Sequence, residues 1–141
     1  MRIMLDTNII ISGLAFAGNE RKLLNTAYRK NATLIISEYV ALETKAVLKK
    51  KFPGKENLLD ELNNHFKVEI AGLPSKEEIT EAESIIREQK DAVILATALR
   101  VKPDIFVSGD LDFHTSKITS LINVMHSKEA VALIKYHKKC N

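Results

Sequence analysis

The sequence predicts an α/β domain of three layers, α/β/α, built on a central parallel sheet of about five strands. Three observations carry the prediction. Short β-rich runs recur along the chain, every interval between them carries a helical pattern, and no linker, repeat or low-complexity segment divides it, so residues 1–141 read as a single domain.

The runs that read as strands are Arg2 to Leu5, Thr33 to Ile36, Lys67 to Ile70, Asp104 to Ser108 and Ile122 to Met125. The spacing between them leaves room for parallel crossovers. Helix starts are marked by Asn19 before Glu20, Ser37 before Glu38 and Ser127 before Lys128, each of which reads as an N-cap. Ser75 with Glu78 fits a capping box. Phe52-Pro53-Gly54 ends the helix that follows Ser37, because the residue before proline is driven from the α region and glycine tolerates the turn. A further helix runs from about Leu58 to Phe66.

The chain has 141 residues, 45% hydrophobic and 28% charged, enough for one real core and too little for a second domain. Lys and Arg total 21 against 18 Asp and Glu, so the net charge of +3 decides nothing about nucleic acid; the placement of the charges does. A lone Cys140 cannot form an internal disulfide, and no Cys/His cluster has zinc spacing, which points to a reducing cytoplasm. No apolar stretch approaches the ~20 residues that cross a bilayer. The N-terminus lacks a leader pattern and is expected to begin with its own first strand.

In an open α/β sheet, ligands gather beyond the carboxyl ends of the strands. Asp6 stands there after Ile3-Met4-Leu5 and before Ile9-Ile10-Ile11, either as an N-cap for the helix through Leu14 or as part of a site. Ser108, Gly109, Asp110, Leu111 and Asp112 stand after the fourth strand, where the acids either form a solvated turn or face the same pocket. At about 100° per residue, Val40, Thr44, Val47 and Lys51 share one side of the helix after Ser37, and Glu43 falls within about 40° of Val47. Glu38 points the opposite way and suits the helix dipole. Glu43 instead sits at the rim of the apolar stripe, where it either snorkels to a lysine such as Lys45 or Lys49 or enters a site. The run Asp91 to Leu99 is apolar almost all round and reads as a buried helix, with Asp91 at its N-terminus able to cap backbone amides, to face a pocket, or both.

Leu5-Asp6-Thr7-Asn8, Leu42-Glu43 on a helix, Lys90-Asp91 before Ile94-Leu95-Ala96-Thr97-Ala98-Leu99, and Val107-Ser108-Gly109-Asp110-Leu111-Asp112-Phe113, in that order, resemble the PIN-domain family of metal-dependent nucleases. The resemblance spans nearly the whole chain. Asp6, Thr7 and Asn8 match the opening motif, Glu43 the helix glutamate, Asp91 the third acid, and Asp110 with Asp112 the final acidic pair. Ser108 stands where the family has threonine and keeps its hydroxyl. Ile10 to Leu24 looks most like prokaryotic members that are toxin components of toxin-antitoxin pairs. The resemblance implies a ribonuclease with an RNA substrate, an antitoxin partner, a homodimer, and products carrying 5′-phosphate and 3′-hydroxyl ends.

Two carboxylates about 4 Å apart repel by about 4 kcal/mol at an effective dielectric near 20, so converging acids need a compensating cation. Oxygen-only ligands suit Mg²⁺ or Mn²⁺. Asp6, Asp91 and Asp110 are expected to anchor one or two ions, with Glu43 and Asp112 completing the shell directly or through water. Thr7, Asn8 and Ser108 read as supporting or phosphate-positioning groups, since no histidine is placed to activate a hydroxyl. Lys49, Lys50, Lys51 and Lys55, then Arg21, Lys22, Arg29 and Lys30, and the tail Lys135, Lys138 and Lys139 are the basic clusters; each is either a solvated face or a phosphate contact. His114 follows the acidic pair and reads as a turn histidine with no role rather than a substrate contact, and the aromatics are few and do not alternate with bases, so no stacking platform for a single strand is expected. An aspartyl phosphatase would have a second acid where Asn8 stands, and no glycine-rich phosphate loop is present. The remaining alternative is a PIN-like module that binds RNA or protein without turnover.

Overall fold

The structure, a computed structural model, describes residues 1–138; Lys139 and Cys140 lie outside the described residues. All the expected strands form, as β1 (Arg2–Leu5), β2 (Thr33–Ser37), β3 (Lys67–Ala71), β4 (Ile105–Val107) and β5 (Val124–Met125). They make one sheet in the order β3-β2-β1-β4-β5, every neighbouring pair parallel. Ile3 opposes Leu34 on one side and Ile105 on the other, so β1 is the central strand. Its consecutive residues Ile3, Met4 and Leu5 all have no solvent contact. Since successive side chains point to opposite faces, that burial requires helices on both sides of the sheet.

The helices among the described residues are α1 (Thr7–Ala15), α2 (Asn19–Arg29), α3 (Glu38–Lys51), α4 (Leu58–His65), α5 (Lys76–Glu83), α6 (Gln89–Val101), α7 (Ser116–Thr119) and α8 (Ser127–Tyr136). Packing joins α1 to α2, α2 to α8, and α5 to α6. Ser37 caps α3 as expected, its Oγ accepting the Val40 amide at 3.0 Å. Ser75 and Glu78 form the expected reciprocal box, at 3.1 and 2.8 Å. The helix after Ser37 stops at Phe52, and Gly54 takes the left-handed turn with φ 88°.

Two caps fall one residue earlier than expected. Asn19 is already helical and Gly18 is the N-cap, because the Gly18 carbonyl accepts the first helical bond, from Lys22 N at 3.0 Å. Likewise the His126 carbonyl takes the Ala130 amide at 3.0 Å, which makes Ser127 the first residue of α8 rather than its cap. The last two strands are shorter than expected. Asp104 turns its carboxylate back to the Arg2 amide at 2.6 Å, and the Ile122 amide closes α7 on Ile118 instead of joining the sheet.

From β1 the chain moves outward to β2 and β3, then returns past them to β4 on the other side of β1. The strand order reverses between β1 and β4, whose last residues Leu5 and Val107 are register partners. Asp6 and Ser108 follow them, so the topology itself sets these two side by side. The loop after Ser108 is anchored by Phe113, which is fully buried and meets Phe106 edge-on at 5.1 Å.

Gly13 sits where α1 crosses α2. A Cβ there would meet Leu24 Cδ1 at 2.6 Å and the Glu20 carbonyl at 3.2 Å. Alanine favours a helix over glycine by about 1 kcal/mol, but overpacking a core contact costs about 1–3 kcal/mol. With Leu24 buried, Gly13→Ala is expected to lower the unfolding free energy by about 1 kcal/mol, read from urea midpoints at unchanged m-value.

Candidate active site

Asp6 caps α1 and also lines the pocket described below. It is 8% exposed, its Oδ1 accepts the Thr7 amide at 2.8 Å at the start of α1, and its Oδ2 accepts the Ser108 hydroxyl at 2.7 Å. Its own amide is tied to the Val107 carbonyl at 3.1 Å. Burial raises its pKa above the ordinary carboxylate value, the bonds from Ser108 and Thr7 oppose that rise, and Asp110 and Glu43 add to it.

Ser108 works in two directions. Its Oγ also accepts the Asp110 amide at 3.0 Å, and Asp110 Oδ1 in turn accepts the Asp112 amide at 2.9 Å, opening a 3₁₀ turn over Leu111–Phe113. The alternatives for the acidic loop therefore coincide, since it is a capped turn that also holds Asp110 at the pocket. His114 Nε2 lies 2.7 Å from the Ser108 carbonyl, and its ring stacks on His126 at 3.9 Å. Its expected lack of a role gives way to one in bracing this loop.

Glu43 reaches the pocket from α3. Its partner is neither Lys45 nor Lys49: Lys90 Nζ lies 2.5 Å from Oε2, and the Thr7 hydroxyl donates to Oε1. The Glu43 carboxylate raises the Lys90 pKa in return, the ordinary sign for a paired ammonium. Glu38 points away, as expected, and accepts the Leu73 amide at 3.3 Å.

Asp91 differs from the other acids. It lies in the first turn of α6, is 5% exposed, and its Oδ2 has no hydrogen-bond partner among the described residues. Burial first, and then the nearby charges of Asp110, Glu88, Asp6 and Asp112, push its pKa up to about 6. Glu88, the N-cap of α6, was not among the expected site residues. Ligand oxygens of Glu88, Asp91 and Asp112 lie within 4.8 Å of one another. The signal was available: Glu88 and Asp91 are three residues apart at a helix start, a spacing that places both on one face.

Asp6, Glu43, Asp91 and Asp110 line one cavity of about 270 Å³, joined by Glu88 and by Lys51 and Lys90. Thr7 and the exposed Asn8 are at its wall, while Ser108 lies beneath it, fully buried. Asp112 is on the outer side, against Glu88 and Asp91. The donor atoms these acids offer are carboxylate oxygens, and those of Glu88, Asp91 and Asp112, within 4.8 Å of one another, would repel pairwise by about 3 to 4 kcal/mol at an effective dielectric near 20. Such a donor set, with one buried oxygen left unbonded, fits a hard divalent cation.

Comparison with known proteins agrees with the architecture. The chain is similar in fold to the structure of VapBC2 from Rickettsia felis bound to a DNA fragment from their promoter, with a TM-score of 0.64 and 20% identity, covering 89% of this chain and 98% of that one. It is similar to FitAcB from Neisseria gonorrhoeae at TM-score 0.64 and 17% identity, with the same coverage. A structure of FitAB bound to an IR36 DNA fragment matches at TM-score 0.59 and 16% identity, covering 89% and 94%. No curated protein sequence matches the chain. The PIN domain family model matches residues 2–112, which takes in every acid of the pocket, and the chain belongs to the PIN domain family.

Proposed function

We propose that this chain is a Mg²⁺- or Mn²⁺-dependent endoribonuclease that hydrolyses phosphodiester bonds at the acidic pocket, and that it is the toxin component of a toxin-antitoxin pair. The observation that carries this reading is the buried, unbonded Asp91 Oδ2 facing the charges of Asp6, Glu88, Asp110 and Asp112. A carboxylate oxygen kept from water without a partner is costly, and a divalent cation removes both that cost and the repulsion. Family membership supports nuclease chemistry. Neighbours solved as VapBC2 and FitAB on DNA support a protein partner, the antitoxin; RNA as substrate and a homodimer rest on the family resemblance, and a cytoplasmic location on the single cysteine of the sequence. Among the described residues, no helix is long and apolar enough to cross a membrane.

In this reading Asp6, Asp91 and Asp110 hold the ion, with Glu43, Glu88 and Asp112 completing the shell directly or through water. Bound there, the ion supplies an activated water for in-line attack and offsets charge on the leaving oxygen. Thr7 and Lys90 fix the Glu43 carboxylate from both sides, and Ser108 keeps Asp6 facing the cavity. Asn8 and Lys51, exposed at the rim, are placed to receive phosphate oxygens. The second reading, a silent module that binds RNA or protein, draws on Glu43 being already paired with Lys90.

Labelled RNA incubated with the purified protein, with and without Mn²⁺, separates the two. The wild type is expected to cleave only with metal. Asp6→Asn is expected to lower the rate by at least a hundredfold, about 2.7 kcal/mol of transition-state stabilisation, while its far-UV spectrum is unchanged. Metal-independent cleavage, or cleavage that survives the substitution, overturns the mechanism.

Asp91 gives a test that needs no activity. Its folded-state pKa of about 6 lies above the ordinary value of 3.8, so between those pH values the native state binds more protons than the unfolded chain. Stability of the metal-free protein is therefore expected to fall as pH rises through that window, and to change less in Asp91→Asn. At neutral pH the metal-free variant is expected to melt higher than wild type, each kcal/mol recovered being worth about 3 °C. Millimolar Mn²⁺ should raise the wild-type midpoint and leave the variant's nearly unmoved.

A further inference from the structure

Beyond the acidic pocket, two more recesses continue across the surface. The first, about 290 Å³, shares Asn8 with the pocket and runs past Gly109 to the first residues of α2 and α8, Asn19, Ser127 and Lys128. The second, about 280 Å³, shares Asn19 and Lys128 with the first and follows the seam between α2 and α8. Their shared lining residues set the three recesses side by side in a row that begins at the acids.

The chemistry changes sign along it. The seam carries Lys22 and Arg29 from α2 and Lys128 and Lys135 from α8, and no acid lines it. Within each helix the two cations are seven residues apart, about 10 Å of rise, so they stand in two facing pairs. None of the four makes an ion pair among the described residues, although acids are nearly as numerous as bases in the chain. Glu20 is the one acid of the first recess. Four unpaired cations on facing helices repel one another, an arrangement that a polyanion would stabilise.

The first recess has its own anion-binding features. Both α2 and α8 open onto it, so their positive dipole ends converge there; the Gly18 N-cap leaves the first turn of α2 without a side-chain bond, while α8 starts with a capping box in which Glu129 accepts the His126 amide at 3.2 Å. Ser127, 6% exposed, is one of its lining residues, and its buried hydroxyl has no hydrogen-bond partner among the described residues. At the far end of the seam Tyr136 is 84% exposed, an aromatic face beside the last cations. Cations tracking a backbone, with an aromatic ring on which a base can stack, are the features of single-strand binding.

We propose that this track is the path of a single-stranded polynucleotide, with one phosphate at Ser127 and Lys128 and the next stretch of backbone between the facing pairs Lys22/Lys128 and Arg29/Lys135. The proposal rests on the nuclease reading for the direction in which the strand enters. It names the surface that delivers the strand to the acids, and it accounts for how a pocket of five carboxylates attracts a polyanion at all.

The test is fluorescence anisotropy with a labelled single-stranded RNA of about a dozen nucleotides, measured in Ca²⁺ buffer over a series of salt concentrations. The double variant Lys128→Ala with Lys135→Ala is compared with Lys76→Ala with Lys117→Ala, which removes the same charge from exposed sites on α5 and α7. The seam variant is expected to bind roughly tenfold more weakly or worse, with the slope of log K against log salt reduced by about one to two, while the control pair binds as wild type. Equal weakening in both pairs, or none in either, overturns the path and leaves the seam to an acidic protein partner. If wild type cleaves RNA with Mn²⁺ but the seam variant binds normally, the path falls and the nuclease reading stands. If the seam variant loses binding but wild type never cleaves, the path stands and the nuclease reading falls.

Discussion

Fold and site depend on the same contact, the 2.7 Å hydrogen bond from Ser108 Oγ to Asp6 Oδ2. It joins the residues that follow β1 and β4, the two strands between which the chain order reverses. Without it a nearly buried carboxylate would keep only the Thr7 amide as partner, leaving one oxygen unbonded and out of water at a cost. Because Ser108 also accepts the Asp110 amide, one hydroxyl sets the separation of two acids that repel each other. The parallel sheet brings the strand ends together, and this short chain of bonds turns adjacency into a defined geometry.

The acids of the pocket are held in different ways. Asp6 has both oxygens bonded by the protein, and Glu43 has Thr7 on one oxygen and Lys90 on the other. These two are held in place before any ligand arrives. Asp91 is equally hidden from water but has an oxygen with no partner, and its pKa of about 6 records the cost. A fold can retain such a group when something bound in the functional state removes the penalty, the usual reason for local conflict at a site.

The strands and the principal acids were legible because their signals are local. Ile3-Met4-Leu5 followed by Asp6 marks a strand end whatever else the chain contains, and Ser37 and Ser75 mark helix starts through bonds spanning three residues. Asn19 and Ser127 misled by one residue because an N-cap is fixed by the first accepting carbonyl, and a polar side chain inside the first turn looks the same in sequence. The Lys90 to Glu43 pair was illegible, since it joins α3 to the start of α6 and competes in sequence with nearer lysines. Glu88 was legible in principle from its spacing to Asp91, but its exposure at a loop end made it resemble an ordinary helix-start acid.

The small net charge of +3 concealed the most consequential arrangement in the molecule. Nearly balanced totals are compatible with random mixing, in which each charge is neutralised by a neighbour and no field extends beyond a Debye length of about 8 Å. Here the signs are largely sorted, with five acids against Lys51 and Lys90 around one cavity, and four cations without an ion pair among the described residues in the seam between α2 and α8. Neither group could be adjacent in sequence, because the acids come from strand ends and helix starts spread along the chain. Likewise the seam takes its cations from α2 and α8, the second helix and the last, which the sheet brings together. Sorting of this kind costs stability through self-repulsion in each cluster. On the reading proposed above, the acids meet a cation and the seam a polyanion, and the two costs are relieved by two different ligands.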